Sequence, residues 1–177
     1  IALSYGADIL EKRVKPLAQT LGVELVLPCD VENLASVDAA FDALRAKWGQ
    51  LDFLVHAIAF SDKNELKGRY ADTTRENFAR TLLISCFSFT ELAKRAAELM
   101  PTSGGAMNTL TFGGSMRVMP NYNVIGFAKS ALDYSVLYCA ASVRPVSLWV
   151  HATYCAPGCV DAGPRCRCLP LVACSLW

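Results

Sequence analysis

Short apolar segments alternate with segments of helical periodicity along the first 153 residues, and this alternation limits the possible folds more than any other feature. The apolar segments comprise residues 1–6, 24–30, 51–60, 106–112 and 147–153. Between them, apolar side chains recur every three or four residues, as from 36 to 48, which is typical of amphipathic helices. Strands that alternate with helices join through right-handed crossovers into a parallel sheet. The pattern therefore predicts an α/β fold, a Rossmann-like parallel sheet sandwiched by helices.

Two of these segments carry more specific signals. Residues 51–60 are almost continuously apolar, so we expect this strand to be buried on both faces of the sheet. Thr73 and Glu76 have the spacing of a capping box, which predicts the start of a long helix. Pro101 is expected to end that helix.

The charge balance argues against two classes of partner. The chain has 17 basic and 16 acidic residues, so it lacks the basic excess of proteins that bind nucleic acids or anionic membranes. No apolar run reaches the roughly 18 residues that a membrane helix needs. No basic and apolar leader opens the sequence. We therefore expect a soluble, cytoplasmic protein without nucleic-acid or membrane partners.

The composition changes near the end of the chain. Six of the eight cysteines lie in the last 39 positions, and residues 154–177 contain no lysine and a single acidic residue, Asp161. We expect residues 1–153 to form the α/β domain and residues 154–177 to form an irregular, cysteine-rich tail. Cys29 and Cys86 stand alone in apolar segments and are expected to be small core residues.

The tail cysteines raise the alternative of a zinc site. Cys155 and Cys159 are separated by three residues, and Cys166 and Cys168 by one. Four thiolates can bind zinc, but these spacings fit no common zinc motif. We therefore expect no metal site.

Candidate ligand-binding residues follow the predicted strands, because parallel sheets bind ligands at the carboxyl ends of their strands. Asp30 follows one strand and can accept a hydrogen bond from an adenine amine, although an aspartate there also serves as a turn or cap residue. Ala57, Ile58 and Ala59 follow the next strand. Their small side chains would let a nicotinamide ribose approach, or would simply allow tight packing. His56 is expected to be a packed strand residue.

Tyr122 and Lys129 are the strongest candidates for catalysis. They are seven residues apart in a helix predicted over residues 121–139, so both would project from one helix face. A tyrosine near a lysine can donate a proton to a developing oxyanion, and the lysine can bind ribose hydroxyls. The spacing alone is equally compatible with a half-buried tyrosine and a solvated lysine on an amphipathic helix.

Three motifs resemble those of bacterial NADH-dependent enoyl-acyl-carrier-protein reductases: VHAIAFSDKNELKGRY, MPNYNVIGFAK and CDVENLASVDAAF. The likeness covers about residues 1–135 and includes the order of the motifs. Ordinary short-chain dehydrogenases place tyrosine and lysine four residues apart, whereas this family uses Tyr-x6-Lys. Ile125 stands four residues before Lys129, which favours the enoyl reductases.

The resemblance implies a role for each candidate residue. Tyr122 and Lys129 would be catalytic, with Tyr122 at the thioester carbonyl of the substrate and Lys129 on the nicotinamide ribose. The remaining cofactor-binding positions would be Asp30 and Val31 at adenine, and Ala57 and Ile58 along the nicotinamide. Ser61 and Phe112 would join Tyr122 at substrate-contact positions. The implied cofactor is NADH, the substrate is an enoyl thioester of acyl carrier protein, and intact relatives would be homotetramers.

The sequence also departs from the family pattern. The first strand with its glycine-rich turn and the C-terminal part of the fold are expected to be missing, and nothing beyond Pro157 resembles the family. Phe112 occupies the place of a second active-site tyrosine, and Ala59 replaces a glycine. Two alternatives therefore remain: another short-chain dehydrogenase-like reductase, or an inactive fragment or cysteine-rich binding module without enzymatic function.

Overall fold

The structure is a computed structural model that describes residues 1–142, 148–155 and 169–173. The chain divides into two compact units, the first comprising Ile1–Gln50 and the second beginning at Leu51. None of the helices in the described ranges combines the length and the apolar composition that crossing a bilayer requires.

The first unit is a β-α-β-α segment. Strand β1 (Ala2–Tyr5) precedes helix α1 (Asp8–Thr20), and strand β2 (Leu25–Pro28) precedes helix α2 (Leu34–Trp48). The two strands pair in parallel. The side chain of Asn33 accepts hydrogen bonds from the first amides of α2, and Gly49, with φ of 70°, ends the helix. This helix matches the one predicted from its apolar periodicity.

The second unit contains a four-stranded sheet in the order β3-β4-β5-β6. Its elements are β3 (Phe53–His56), α3 (Arg75–Leu82), a π-helical turn (Leu83–Phe87), α4 (Ser88–Leu99), β4 (Gly105–Phe112), α5 (Asn123–Ser142), β5 (Leu148–Cys155) and β6 (Leu169–Ala173). Strands β3, β4 and β5 are parallel, and β6 pairs with β5 in the antiparallel direction. The predicted α/β class with parallel, helix-flanked strands is confirmed.

The core of the second unit lies between α4, α5 and one face of its sheet. Phe89, Leu132 and Val136 of the helices and Met107 and Val150 of the sheet are almost completely buried. Burying such side chains stabilises the fold by about 1.5–3 kcal/mol each. This layer fixes the position of β4 and α5, which carry the candidate catalytic residues.

The prediction that residues 51–60 form a strand buried on both faces is wrong. Only Phe53–His56 form a strand. Phe53 and Val55 are about half exposed, whereas His56 is 1% exposed. The reason is that α4 packs on the face of β3 that carries His56, which contacts Phe89. Phe53 and Val55 lie on the opposite face, because side chains alternate along a strand.

The start of the long helix also differs from the prediction. Thr74, not Thr73, caps α3, because its hydroxyl accepts a hydrogen bond from the Asn77 amide at 3.2 Å. The helix then continues through the π-helical turn into α4, and ends before Pro101 as expected.

The expected irregular tail stays a prediction over residues 156–168 and 174–177, which lie outside the described residues. Within the described part, residues 154 and 155 continue β5, and Leu169–Ala173 form β6. The pairs Cys155/Cys159 and Cys166/Cys168 therefore fall mostly outside what the structure describes.

Candidate active site

The Tyr122 ring packs against the carboxyl end of β4. The ring centroids of Phe112 and Tyr122 are 5.1 Å apart. Beyond Phe112, a 3-10 turn places Gly114 directly beneath the tyrosine, where an added Cβ would come within 2.6 Å of the ring. A larger residue at position 114 would displace Tyr122, so the glycine is required by this close approach.

Tyr122 is the residue immediately before α5, so it is not within the helix as predicted. Its carbonyl accepts the first backbone hydrogen bond of the helix, from the Gly126 amide at 3.2 Å. Burial raises the pKa of the Tyr122 phenol above its ordinary value. The phenol therefore remains protonated at neutral pH and can act as a hydrogen-bond donor.

Lys129 is buried in the middle of α5, with only 6% of its surface exposed. Its ammonium group donates a hydrogen bond of 2.7 Å to the carbonyl of Leu110 on β4. A buried ammonium needs such partners, because desolvation of a charge is costly. Lys129 and Tyr122 thus contact β4 two residues apart, at Leu110 and Phe112, near the strand's carboxyl end.

His56 is a structural residue of the sheet, as expected. Its Nδ1 lies 2.8 Å from Thr109 Oγ1, and its Nε2 lies 2.9 Å from Ser88 Oγ. Ser88 Oγ donates its proton to the carbonyl of Ile84, so it must accept from a protonated Nε2. Burial, together with the charge of Lys129, lowers the pKa of His56 to about 3. A neutral, fully bonded imidazole of this kind is not a catalytic base.

The π-helical turn holds the segment that follows β3. Ser85, in this turn, accepts a hydrogen bond from the Phe60 amide and donates one to the Phe60 carbonyl, both at 2.9 Å. Ala57 and Ile58, the residues expected along the nicotinamide, therefore lie between His56 and Phe60, which are both held by hydrogen bonds. Ala57 is exposed and Ile58 is half-buried. Sequence reasoning missed Ser85, because no sequence signal marked a π-helical turn.

Ser61, the expected substrate contact, belongs to a buried hydrogen-bonded cluster. Its hydroxyl donates to Asn77 Oδ1 at 3.3 Å and accepts from Thr81 Oγ1 at 3.0 Å. Ser61 is 9% exposed. These contacts show that it orders the loop after β3, and its contact with substrate stays a prediction.

In the first unit, the carboxyl ends of β1 and β2 border a cavity of about 340 Å³. Its lining residues are Tyr5, Gly6, Ala7, Asp8, Pro28, Cys29, Asp30 and Ser36. Asp30 also stabilises the turn after β2, since its carboxylate accepts from the Glu32 amide at 3.0 Å. Val31 is buried, with 7% of its surface exposed. The cavity falls within the size range of small-molecule sites, while the adenine roles of Asp30 and Val31 stay predictions.

No cluster of three or more metal-binding side chains occurs in the described part of the chain. Cys29, Cys86 and Cys139 are buried cysteines outside any disulfide. Burial raises the pKa of Cys86 and of Cys139, so neither is activated as a nucleophile. The expected core positions of Cys29 and Cys86 are confirmed.

Comparison with known proteins places these residues in a family. A sequence model described as enoyl-(acyl carrier protein) reductase matches residues 1–163, so the likeness continues past Pro157, where we expected it to end. The chain is 62% identical over 164 residues to enoyl-(acyl-carrier-protein) reductase (NADH) 2 of Rhizobium meliloti, covering 93% of this chain and 58% of the relative. It is 48% identical over 161 residues to the Rickettsia felis NADH enoyl reductase FabI, covering 91% and 59%.

Solved structures give the same result. The enoyl reductase of Anaplasma phagocytophilum in complex with NAD is 50% identical, with a TM-score of 0.84 over 88% of this chain and 59% of that one. The Aquifex aeolicus enoyl reductase is 37% identical, with a TM-score of 0.85, covering 88% and 62%. The chain thus spans somewhat less than two thirds of the length of these relatives. It belongs to the enoyl-(acyl carrier protein) reductase family.

Proposed function

We propose that the protein reduces trans-2-enoyl thioesters of acyl carrier protein with NADH, the reaction that completes a cycle of fatty-acid elongation. The observation that carries this proposal is the Tyr-x6-Lys pair, whose two side chains meet β4 at Phe112 and Leu110. Bound NADH supplies the hydride that is added to the β-carbon.

Tyr122 and Lys129 have distinct tasks in this proposal. The protonated phenol of Tyr122 donates a hydrogen bond to the thioester carbonyl, where negative charge develops during reduction. A preorganised donor of this kind stabilises the transition state without reorganisation. The Leu110 carbonyl orients the ammonium group of Lys129, which binds the ribose hydroxyls of the cofactor.

The proposed adenine contacts belong to the first unit, and the proposed nicotinamide contacts belong to the second. In the first, the cavity lined by Asp30 would receive the adenine, with Val31 as the next residue of the chain. In the second, Ala57 and Ile58 would border the nicotinamide, and their small or half-buried side chains leave the backbone accessible. Ser61 and Phe112 would complete the substrate side of the site.

A carbonyl reductase of the ordinary short-chain type fits less well. That class needs a tyrosine four residues before the lysine. Ile125 occupies this position, and it is buried with 7% of its surface exposed. An aliphatic side chain there can supply no proton.

We also propose that the protein assembles into homotetramers in the cytoplasm. The assembly is supported by an exposed aromatic stripe on α5, formed by Phe127, Tyr134 and Tyr138, which are 47%, 66% and 76% exposed. Their spacing places them on one helix face. Exposed apolar patches of this kind are typical of interfaces, and light scattering measures the number of chains directly.

Assays of the purified protein test the activity. We expect NADH oxidation with a trans-2-enoyl thioester of acyl carrier protein and none with a β-ketoacyl thioester, because the proposal assigns reduction of a carbon–carbon double bond. Lys129→Ala should weaken NADH binding at least about tenfold, whereas Lys94→Ala, on an exposed lysine of α4, should not. Activity on the ketone alone would favour the carbonyl reductase instead.

A further inference from the structure

Both neighbours of Tyr122 adopt a left-handed backbone conformation. Asn121 has φ of 56° and Asn123 has φ of 23°, and no other non-glycine residue in the described ranges has a positive φ. Asparagine tolerates this region better than most residues. Such a backbone persists only where surrounding contacts hold it in place.

The contacts that hold it come from Asn123. Its side-chain amide donates a hydrogen bond of 2.9 Å to the carbonyl of Glu65, and lies 3.5 Å from the carbonyls of Lys67 and Gly68. These three carbonyls belong to the loop between β3 and α3. Asn121 is exposed, and in the described part of the chain its side chain has no hydrogen bond.

The loop that receives Asn123 is itself fixed to α3. The carboxylate of Glu65 accepts hydrogen bonds from the amide and the hydroxyl of Thr74, at 3.0 and 2.8 Å, and from the Asn77 side chain at 3.1 Å. These donors lower the pKa of Glu65, so the carboxylate stays charged and bonded. The Asn123 amide thus connects the start of α5 to an anchored loop.

We propose that Asn123 is a positioning residue for Tyr122. Its amide clamps the backbone next to the tyrosine, and this fixes the direction in which the ring leaves the chain between Phe112 and Gly114. Its catalytic consequence rests on the function proposed above for Tyr122, but its structural consequence does not.

Matched glycine variants separate the clamp from the backbone conformation, because glycine adopts positive φ freely. Asn123→Gly retains that conformation and loses the clamp, whereas Asn121→Gly changes only an exposed neighbour. We expect Asn123→Gly to lower kcat about tenfold or more per folded molecule, since small misplacements of catalytic groups are costly. The KM for NADH should change less than about twofold, because the clamp does not contact the proposed cofactor residues. Asn121→Gly should leave both constants within about twofold of the unaltered protein.

A measurement without substrate tests the positioning itself. Tyrosine labelled with ¹³C at the ring Cζ reports each phenol by NMR, and Tyr122→Phe identifies the Tyr122 signal. In Asn123→Gly we expect this signal to shift and its titration to move to lower pH, because the released ring becomes more hydrated. Asn121→Gly should leave both unchanged. An unaltered Tyr122 signal and titration in Asn123→Gly would overturn the inference, whereas an inactive parent protein would overturn only the proposed function.

Discussion

Burial determines the protonation of the titratable side chains that surround β4. Desolvation raises the pKa of Tyr122 and lowers that of His56, so both are neutral at physiological pH. Lys129 is buried as well, but its ammonium group is hydrogen-bonded to a backbone carbonyl. The Tyr122 phenol therefore donates a proton in a hydrogen bond, Lys129 carries positive charge, and His56 is structural. Sequence spacing alone does not separate these roles.

At the residue scale, Tyr122→Phe tests the proposed donor. We expect the turnover of enoyl thioester to fall about a hundredfold or more, which is typical for removal of an oxyanion donor. The affinity for NADH should remain nearly unchanged, because the phenol is assigned to the substrate. Tyr70→Phe is the matched control, since Tyr70 is 48% exposed and has no assigned role in the site. If Tyr122→Phe had no effect while Phe112→Tyr raised activity, the principal tyrosine would belong at position 112.

His56 gives a prediction about stability and pH. Its folded-state pKa of about 3 lies below the ordinary value of 6.5, so the unfolded chain binds a proton that the folded chain excludes. The stabilisation is therefore complete above pH 6.5 and is lost as the pH falls toward 3. Between pH 7 and pH 5 the free energy of unfolding should drop by about 2 kcal/mol through this group.

Urea denaturation at several pH values measures this loss. His56→Gln has no titratable ring. It should therefore reduce the difference in the free energy of unfolding between pH 7 and pH 5 by about 2 kcal/mol. His151→Gln serves as the control, because His151 is only partly buried. A pH dependence that is the same in all three proteins would show that His56 is not excluded from protonation.

At the element scale, local signals predicted most helices and strands, and tertiary contacts decided the rest. Asn33 caps the start of α2 and Gly49 ends it, which agrees with the helix predicted from the apolar periodicity. The sequence could not show that β3 stops at His56, because residues 57–60 are as apolar as the strand itself. Their backbone is held instead by Ser85, a residue 25 positions away. The contacts of Tyr122 and Lys129 with the end of β4 agree with the seven-residue spacing of the two residues, but the Asn123 clamp depends on a loop that is distant in sequence.

The hydrogen bonds between the π-helical turn and Phe60 can be tested by removing the Ser85 hydroxyl. Ser85→Ala deletes both hydrogen bonds to Phe60, which should cost about 1 kcal/mol of stability, because a part-buried amide loses its partner. Ser103→Ala, in an exposed turn, should cost less than about 0.5 kcal/mol. Hydrogen exchange of the Phe60 amide provides the direct readout, and unchanged protection in Ser85→Ala would contradict the role assigned to this turn.

At the scale of the whole molecule, the predicted parallel strands occur in two separate sheets, one in each unit. In the Rossmann strand order 3-2-1-4-5-6, the first strand pairs with both the second and the fourth. The parallel groups β2-β1 and β3-β4-β5 have the strand order of the segments 3-2 and 4-5-6 of that arrangement.

The two units also bury apolar side chains to different extents. The buried apolar residues of the first unit are Ala18, Cys29, Val31, Val37, Ala40 and Phe41. Most of these are small, and the large apolar residues Ile9 and Leu17 of α1 are 74% and 52% exposed. In the second unit, Phe89 and Leu132 are completely buried. Since apolar burial provides most of the stabilisation, the first unit should have the lower local stability.

Hydrogen exchange detected by mass spectrometry tests this difference in the 177-residue chain. After correction for intrinsic rates, we expect the amides of α1 and α2 to exchange at least about tenfold faster than those of α4 and α5, a difference of about 1.4 kcal/mol in opening free energy. Helix ends fray in any protein, so the comparison uses the central turns of each helix. Phe41→Ala should raise exchange throughout α2 without changing α5, because Phe41 is the largest buried side chain of the first unit and α5 belongs to the second. Equal protection of α2 and α5, or a loss of protection in α5 upon Phe41→Ala, would show that the chain unfolds as one cooperative unit.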